Sequence, residues 1–236
     1  DTDAINLGAI TAASLDVTSV GDITDSGVLT ISGTTTLANG TGTAITLDNA
    51  NNFGTVTGGD SGDSVTLVDT DAIALGAITA TSLDVTSVGD ITDSGVLTIS
   101  GTTTLDNGTG TAITLDNANN FGTVTGGDSG DSVTLVDTNA INLGTITATT
   151  LDVTAVGDIT DSGVLTISGT TTLDNGTGTG ITLNSANNFG TVTGGDSGDA
   201  ITLVDTNAIS LGAITATTLD DTSVGDITDS GILAIS

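Results

Sequence analysis

A 68-residue repeat is the sequence feature that most constrains the fold of this chain. Asp3-Ala4-Ile5 recurs as Asp71-Ala72-Ile73, Asn139-Ala140-Ile141 and Asn207-Ala208-Ile209, and the first two copies differ at only three positions. A fixed period of this size is typical of proteins whose supersecondary units stack and share one core. No linker interrupts the pattern. We therefore expect one continuous repetitive body over residues 1–236, with repeats at 3–70, 71–138 and 139–206 and a partial repeat at 207–236.

Short apolar–polar–apolar triplets recur within each repeat and predict its strands. Successive triplets are Val65-Thr66-Leu67, Leu83-Asp84-Val85, Leu97-Thr98-Ile99 and Ile113-Thr114-Leu115. Alternation of this kind indicates a half-buried strand, and Val, Ile and Thr favour strands over helices. A return every 14 to 20 residues is too short for independent domains and fits the turns of a solenoid. The prediction is an all-β fold, a parallel β-solenoid (β-helix), with about four coils per repeat and about 14 coils in all.

Ten residue types make up the whole chain, and the missing ones exclude most catalytic chemistry. Glu, Gln, Lys, Arg, His, Cys, Met, Pro, Trp and Tyr are absent. Without an imidazole, thiol, amine or phenol, only carboxylates and hydroxyls remain as nucleophiles or bases. Two neighbouring aspartates could suggest a glycosidase or an aspartic dyad. However, each pair recurs in every repeat, which favours a structural role, and we expect no enzyme activity.

The charge of the chain points to cations as partners. The formal net charge is −29 at pH 7 with no Lys or Arg, although the mean hydropathy is positive at +0.32. Such a chain has no electrostatic attraction for phosphate groups, and it has no apolar stretch long enough to span a bilayer. We therefore expect neither nucleic-acid binding nor membrane insertion. Divalent cations are the expected partners, because closely spaced carboxylates condense counterions.

A Gly-rich acidic corner is the candidate metal site. Gly58-Gly59-Asp60-Ser61-Gly62-Asp63-Ser64-Val65 approaches the calcium-binding nonapeptide G-G-x-G-x-D-x-U-x, with Ser61 in place of the third Gly. Carboxylate oxygens are ligands that Ca²⁺ prefers. The alternative is a solvated turn without metal, because the motif normally recurs in adjacent turns and here occurs once per repeat. We expect no required cofactor and Ca²⁺ as the candidate ion, with the candidate ligands Asp60, Asp63, Asp128, Asp131, Asp196 and Asp199.

Three further motifs each have two interpretations. Asp22 and Asp25 are either a second carboxylate pair for cations or turn residues that cap their own backbone, and we favour capping. Asn39-Gly40-Thr41 has the form of a glycosylation sequon and contains a favoured turn dipeptide, and we favour the turn. Thr-x-Thr pairs such as Thr34/Thr36 would suit an ice-binding face if they recurred on every coil. Otherwise Thr is simply a β-branched strand former.

The amino-acid sequence of the repeats resembles that of known bacterial surface proteins. The chain is similar to the β-helical shafts of filamentous-haemagglutinin-type adhesins and of giant repetitive surface or fibre proteins. The resemblance is carried by segments such as Gly157-Asp158-Ile159-Thr160-Asp161-Ser162-Gly163-Val164-Leu165-Thr166-Ile167-Ser168. The resemblance implies a right-handed parallel β-helix, export to the extracellular space or the cell surface, and a role in adhesion or in building a fibre, sheath or matrix.

The function that we expect is therefore an extracellular structural repeat protein that forms a fibre, sheath or adhesin shaft. A solenoid gains length by adding coils that pair only with their neighbours. We expect the segment to lie inside a longer chain or filament, and its partner to be itself, through end-to-end or lateral assembly. The alternatives are a binding module that displays Thr or Asp faces to ice or carbohydrate, and tandem calcium-stiffened sandwich domains, whose period would be nearer ~100 residues.

Overall fold

A computed structural model describes residues 1–236 and contains β-strands without any helix. It confirms the predicted parallel β-solenoid. None of its segments is a helix able to cross a membrane. The strands are β1 Ile5–Leu7, β2 Ile10–Ala12, β3 Leu15–Thr18, β4 Ile23–Asp25, β5 Leu29–Ala38, β6 Ala44–Gly58, β7 Ser64–Asp69, β8 Ile73–Ala80, β9 Ser82–Thr86, β10 Ile91–Asp93, β11 Leu97–Asp106, β12 Ala112–Gly126, β13 Ser132–Asp137, β14 Ile141–Ala148, β15 Thr150–Ala155, β16 Ile159–Asp161, β17 Leu165–Asp174, β18 Gly180–Gly194, β19 Ala200–Asp205, β20 Ile209–Ala216, β21 Thr218–Ser223, β22 Ile227–Asp229 and β23 Leu233–Ile235.

Two rows of stacked strands run along the rod, and the number of strands in each row gives the number of coils. In the first row each strand pairs in parallel with the next in the order β1, β4, β6, β7, β9, β11, β12, β14, β16, β18, β19, β21. The second row follows the order β3, β5, β6, β8, β10, β12, β13, β15, β17, β18, β20, β22. Both rows give about 12 coils. At ~4.8 Å per coil the rod is about 58 Å long.

The coils are longer and fewer than the triplet spacing predicted. The prediction of about 14 coils assumed that all consecutive triplets stack. Some consecutive triplets do stack, as Val65 does on Leu83 and Ile113 on Val133. However, Leu83 pairs with Thr103, and Leu97 pairs with Ile78. One coil, from Val65 to Leu83, holds both β7 and β8. The triplet that follows, Leu97-Thr98-Ile99, therefore lies on another side of the rod and not on top of Leu83.

Each repeat occupies three and a half coils, so equivalent residues alternate between the two rows. β1 and β14 are equivalent strands of the first and third repeats, and they lie seven pairing steps apart in the first row. The equivalent strand of the second repeat, β8, lies in the second row. A feature that occurs once per repeat therefore alternates between two sides of the rod and returns to the same side after about 34 Å.

The core is one continuous column of mainly aliphatic side chains. A single cluster of 49 buried hydrophobic residues extends from Leu7 to Ala216. The inward positions predicted from the triplets, such as Val65 and Leu67, are buried. Burial of one such side chain stabilises the fold by about 1.5–3 kcal/mol relative to exposure. Polar side chains also point inward, and Thr35, Thr103 and Thr171 are fully buried.

Close contact between coils requires glycine at one corner of each repeat. Gly58 has a φ of 139°, and a Cβ atom there would lie 1.9 Å from the carbonyl oxygen of Leu37. Its copies Gly126 and Gly194 have the same constraint. No L-amino acid with a side chain adopts this backbone without strain, and none fits the space.

Candidate functional site: the acidic corners

Two loops from neighbouring coils stack at the predicted metal corner, and Asp63 holds them together. The carboxylate of Asp63 is fully buried. Its Oδ1 accepts hydrogen bonds from the backbone N–H of Gly42 at 2.7 Å and of Thr43 at 3.0 Å, and its Oδ2 accepts one from the N–H of Asp60 at 2.7 Å. The first two donors belong to the preceding coil. Three N–H dipoles thus stabilise a buried negative charge that has no cationic side chain beside it.

The same arrangement recurs in the next two repeats. Asp131 accepts from the N–H of Gly110 and of Asp128, both at 2.7 Å. Asp199 accepts from the N–H of Gly178 at 2.9 Å and of Asp196 at 2.6 Å. We call Asp63, Asp131 and Asp199 the corner clamps. In these corners the second carboxylates, those of Asp60, Asp128 and Asp196, lie at the surface, where Asp60 is exposed and the other two are half-buried.

The calcium site therefore stays a prediction, and its candidate ligands differ in burial and in hydrogen bonding. The structure contains no cluster of three or more groups able to hold a metal ion. The clamp carboxylates are already engaged with backbone N–H groups, whereas Asp60, Asp128 and Asp196 are accessible to solvent. An ion at this corner would have to draw further ligands from carbonyl oxygens or water.

Asp22 and Asp25 cap the backbone of the following coil, and not their own backbone as expected. Asp22 Oδ1 accepts a hydrogen bond from the N–H of Ala44 at 2.9 Å. Asp25 Oδ1 accepts one from the N–H of Asp48 at 3.1 Å, and its Oδ2 accepts one from the side-chain amide of Asn51 at 2.8 Å. The copies at Asp90, Asp93, Asp158 and Asp161 make the equivalent bonds. These carboxylates join coils at corners where the strand ladder is interrupted.

A second kind of buried carboxylate, that of Asp69, was not identified from the sequence. Its Oδ2 accepts a hydrogen bond from the N–H of Phe53 at 2.6 Å, and its Oδ1 accepts one from the N–H of Asp71 at 2.8 Å. Burial raises the pKa of Asp69, and of its copy Asp137, above the usual 3.8, while these N–H bonds oppose the rise. The folded state thus holds this proton more tightly than the unfolded chain. The contribution of Asp69 to stability falls as the pH rises from 3.8 through its folded pKa.

The neighbouring Asn51 completes this polar corner. It is fully buried and pairs with Asp69 in the ladder. Its Oδ1 accepts a hydrogen bond from the N–H of Leu29 at 2.8 Å, and its Nδ2 also donates to the carbonyl of Leu47 at 3.2 Å. The only signal for this pair in the sequence is a polar residue at a position where the alternation calls for an inward side chain.

The sequon asparagine is part of a turn and is not accessible. Asn39 is 7% exposed, and its Nδ2 donates a hydrogen bond to Thr43 Oγ1 at 2.7 Å. The copies Asn107 and Asn175 make the same bond. A glycan on this nitrogen would require the corner to open, so the folded structure supports the turn interpretation.

The outer surface bears short threonine arrays and isolated valines. Thr34 pairs with Thr55 and Thr36 with Thr57, but Ala74 follows Thr55 on the next coil, so the Thr-x-Thr array is two coils deep. Exposed valines flank β4 and its copies at Val20, Val28, Val88, Val96, Val156 and Val164. The surface has no pocket. Chemically, the described groups can accept hydrogen bonds and attract cations.

Comparisons with known proteins give one match. A family model described as repeats of unknown function (DUF5649) matches residues 1–58, 62–126, 130–194 and 198–236. No curated protein and no solved structure matches the chain. The spacing of the last three matched segments is 68 residues, the same as the repeat found in the sequence.

Proposed function

The chain belongs to this family of repeats, and from that premise we propose that it is a structural module, a segment of the shaft of an extracellular fibre, sheath or adhesin. The observation that supports this proposal is the continuity of the core. One hydrophobic cluster of 49 residues passes through successive coils without a break. Bending or separating such a rod at any point would break ladder hydrogen bonds and expose apolar side chains together.

The repeat geometry suits a shaft whose length is set by the number of repeats. Each repeat adds three and a half coils, which corresponds to about 17 Å of length at ~4.8 Å per coil. The corner clamps and the Asp22 and Asp25 caps join neighbouring coils once in each complete repeat, through bonds that do not depend on the ends of the rod. A longer array therefore needs no new type of contact.

Copies of the rod and divalent cations are the partners that we propose. The 29 carboxylates along about 58 Å give one charge per ~2 Å, close to ~1.7 Å for duplex DNA. Rods of this charge repel one another in water of low ionic strength, and divalent ions shared between exposed carboxylates would allow them to lie side by side. The exposed valines on alternating sides add apolar contact points to such an assembly.

Two experiments test the proposal. A variant with a second copy of residues 71–138 inserted after residue 138 should form a rod about 17 Å longer and of equal width by small-angle X-ray scattering. Antibodies against the exposed loop around Ser61 should label filaments on intact cells of the source organism. Labelling that requires permeabilised cells would refute the extracellular shaft, and an inserted repeat that widens the particle would refute length control.

A further inference from the structure

One carboxylate without any partner, that of Asp221, lies inward in β21 on a half-buried residue beyond the core cluster. Asp221 occupies the position that Val17, Val85 and Val153 occupy in the other repeats, and all three valines are buried. In β21 it pairs with Leu203 of β19. Both carboxylate oxygens of Asp221 are inaccessible to solvent and accept no hydrogen bond. Every clamp and cap described above, in contrast, accepts at least one N–H bond.

Nothing in the chain can neutralise this group once it is ionised. The protein has no Lys, Arg or His. Its one other cation, the N-terminal ammonium group, donates a hydrogen bond to the carbonyl oxygen of Thr18, in the first coils of the rod. The titratable residue of β19, the strand paired with β21, is Asp205, and β21 itself contributes Asp220. Both are acidic and repel the Asp221 carboxylate.

We propose that β21 is a pH-responsive segment of the solenoid, closed against β19 when Asp221 is protonated and opened when Asp221 is ionised. In the closed state the protonated carboxyl replaces the buried valine at modest cost. After ionisation, an unpaired charge would remain at an apolar position, and separation of β21 from β19 returns it to water. This inference concerns residues 218–223 and does not depend on the proposed function.

The direction of the pH dependence follows from linkage. Burial, with the nearby charges of Asp205 and Asp220, raises the pKa of Asp221 above its usual 3.8. The open segment, exposed to water, has the ordinary value. Closing therefore takes up a proton, so the closed state weakens as the pH rises from 3.8 through the raised pKa and is pH-independent above it.

Amide hydrogen exchange by NMR gives a local readout of this opening. The N–H of Thr217 donates to the carbonyl of Asp199 at 2.7 Å, and that of Val224 donates to Asp205 at 3.2 Å, so both report on closure of β21. The N–H of Thr149, which donates to Asp131 at 2.8 Å, is the equivalent of Thr217 in the preceding repeat and serves as the internal reference.

Between about pH 4 and pH 7.5, the protection factors of Thr217 and Val224 should fall about tenfold for each unit by which the pKa of Asp221 is raised. That of Thr149 should stay constant after correction for intrinsic exchange. Asp221→Asn keeps the shape and Asp221→Val restores the residue of the other repeats, and both should abolish the fall. Asp220→Asn, at an exposed position, removes one of the two nearby like charges and should retain a smaller fall. An unchanged protection factor in the wild type, or an equal fall in Asp221→Asn, would overturn the proposal.

Discussion

Replacing the buried threonine Thr103 by valine should make the protein more stable. Thr103 is fully buried in the core column, where it pairs with Leu83 on one side and Val124 on the other. Its Oγ1 atom has no hydrogen-bond partner. A buried hydroxyl without a partner loses its hydration and gains nothing in return, which costs about 1–3 kcal/mol. Valine has nearly the same shape and carries a methyl group in place of that hydroxyl.

For a chain of this length, each kcal/mol raises the melting temperature by about 2–4 °C. Thr103→Val should therefore melt about 2–12 °C higher than the wild type in a circular-dichroism melt at fixed salt. The matched control is Thr102→Val, because Thr102 is the exposed neighbour in the same strand. Its stability should change by less than about 0.5 kcal/mol.

The equivalent residues Thr35 and Thr171 have the same orphaned hydroxyl, three and a half coils away on either side. At about 17 Å, their effects should add to that of Thr103. A melting temperature for Thr103→Val at or below that of the wild type would refute the reasoning. It would mean that the hydroxyl is bonded in solution, by a trapped water or by the backbone.

Three further predictions concern the corners. Asp131→Ala should destabilise the fold by about 2–5 kcal/mol in urea unfolding, because buried N–H groups lose their acceptor. Asp128→Ala should change the free energy of unfolding by less than about 0.5 kcal/mol. If Asp128 is a calcium ligand, the same variant should bind calcium more weakly in calorimetry. Gly126→Ala should prevent folding or lower the melting temperature far more than Gly110→Ala, because a Cβ at Gly126 would lie 2.0 Å from the Leu105 carbonyl oxygen. Gly110 faces open space, so alanine there meets only the backbone strain of a φ of 80°. Asp71→Asn, which introduces the residue found at 139 and 207, should lower the pKa of Asp69 in a carbon-13 NMR titration by removing a like charge. An unchanged titration would show that burial alone raises it.

The strands and the core could be predicted from the sequence because both depend on local alternation. Val65, Leu67, Leu83 and Val85 are buried, as the triplets require. The number of coils could not be predicted in the same way. Stacking partners such as Leu83 and Thr103 are set by the path of the whole coil, and the partner of an apolar residue here is a threonine. Alternation identifies strands but does not identify which strands pair.

The buried polar residues could not be predicted from the alternation of the sequence, for a different reason. An alternating sequence assigns inward positions to apolar residues, so it predicts Asp63 as a metal ligand or a solvated turn residue and does not identify Asp69. Each is buried because the corners leave backbone N–H groups without ladder partners. Which N–H groups are left over depends on the bulges and loops of the neighbouring coil, and a single strand carries no information about them.

The acidity of the chain consequently has two separate physical origins. Buried carboxylates such as Asp63 and Asp69 act as hydrogen-bond acceptors between coils, and the backbone N–H dipoles offset part of the cost of burying their charge. Exposed carboxylates such as Asp84 and Asp60 have no such partner and contribute mainly repulsion along the rod. Added salt screens the exposed charges within about 8–10 Å and leaves the buried ones nearly unaffected. Neutralising substitutions at Asp84 should therefore reduce the salt dependence of stability, whereas the same change at Asp63 would remove bonds that salt cannot replace.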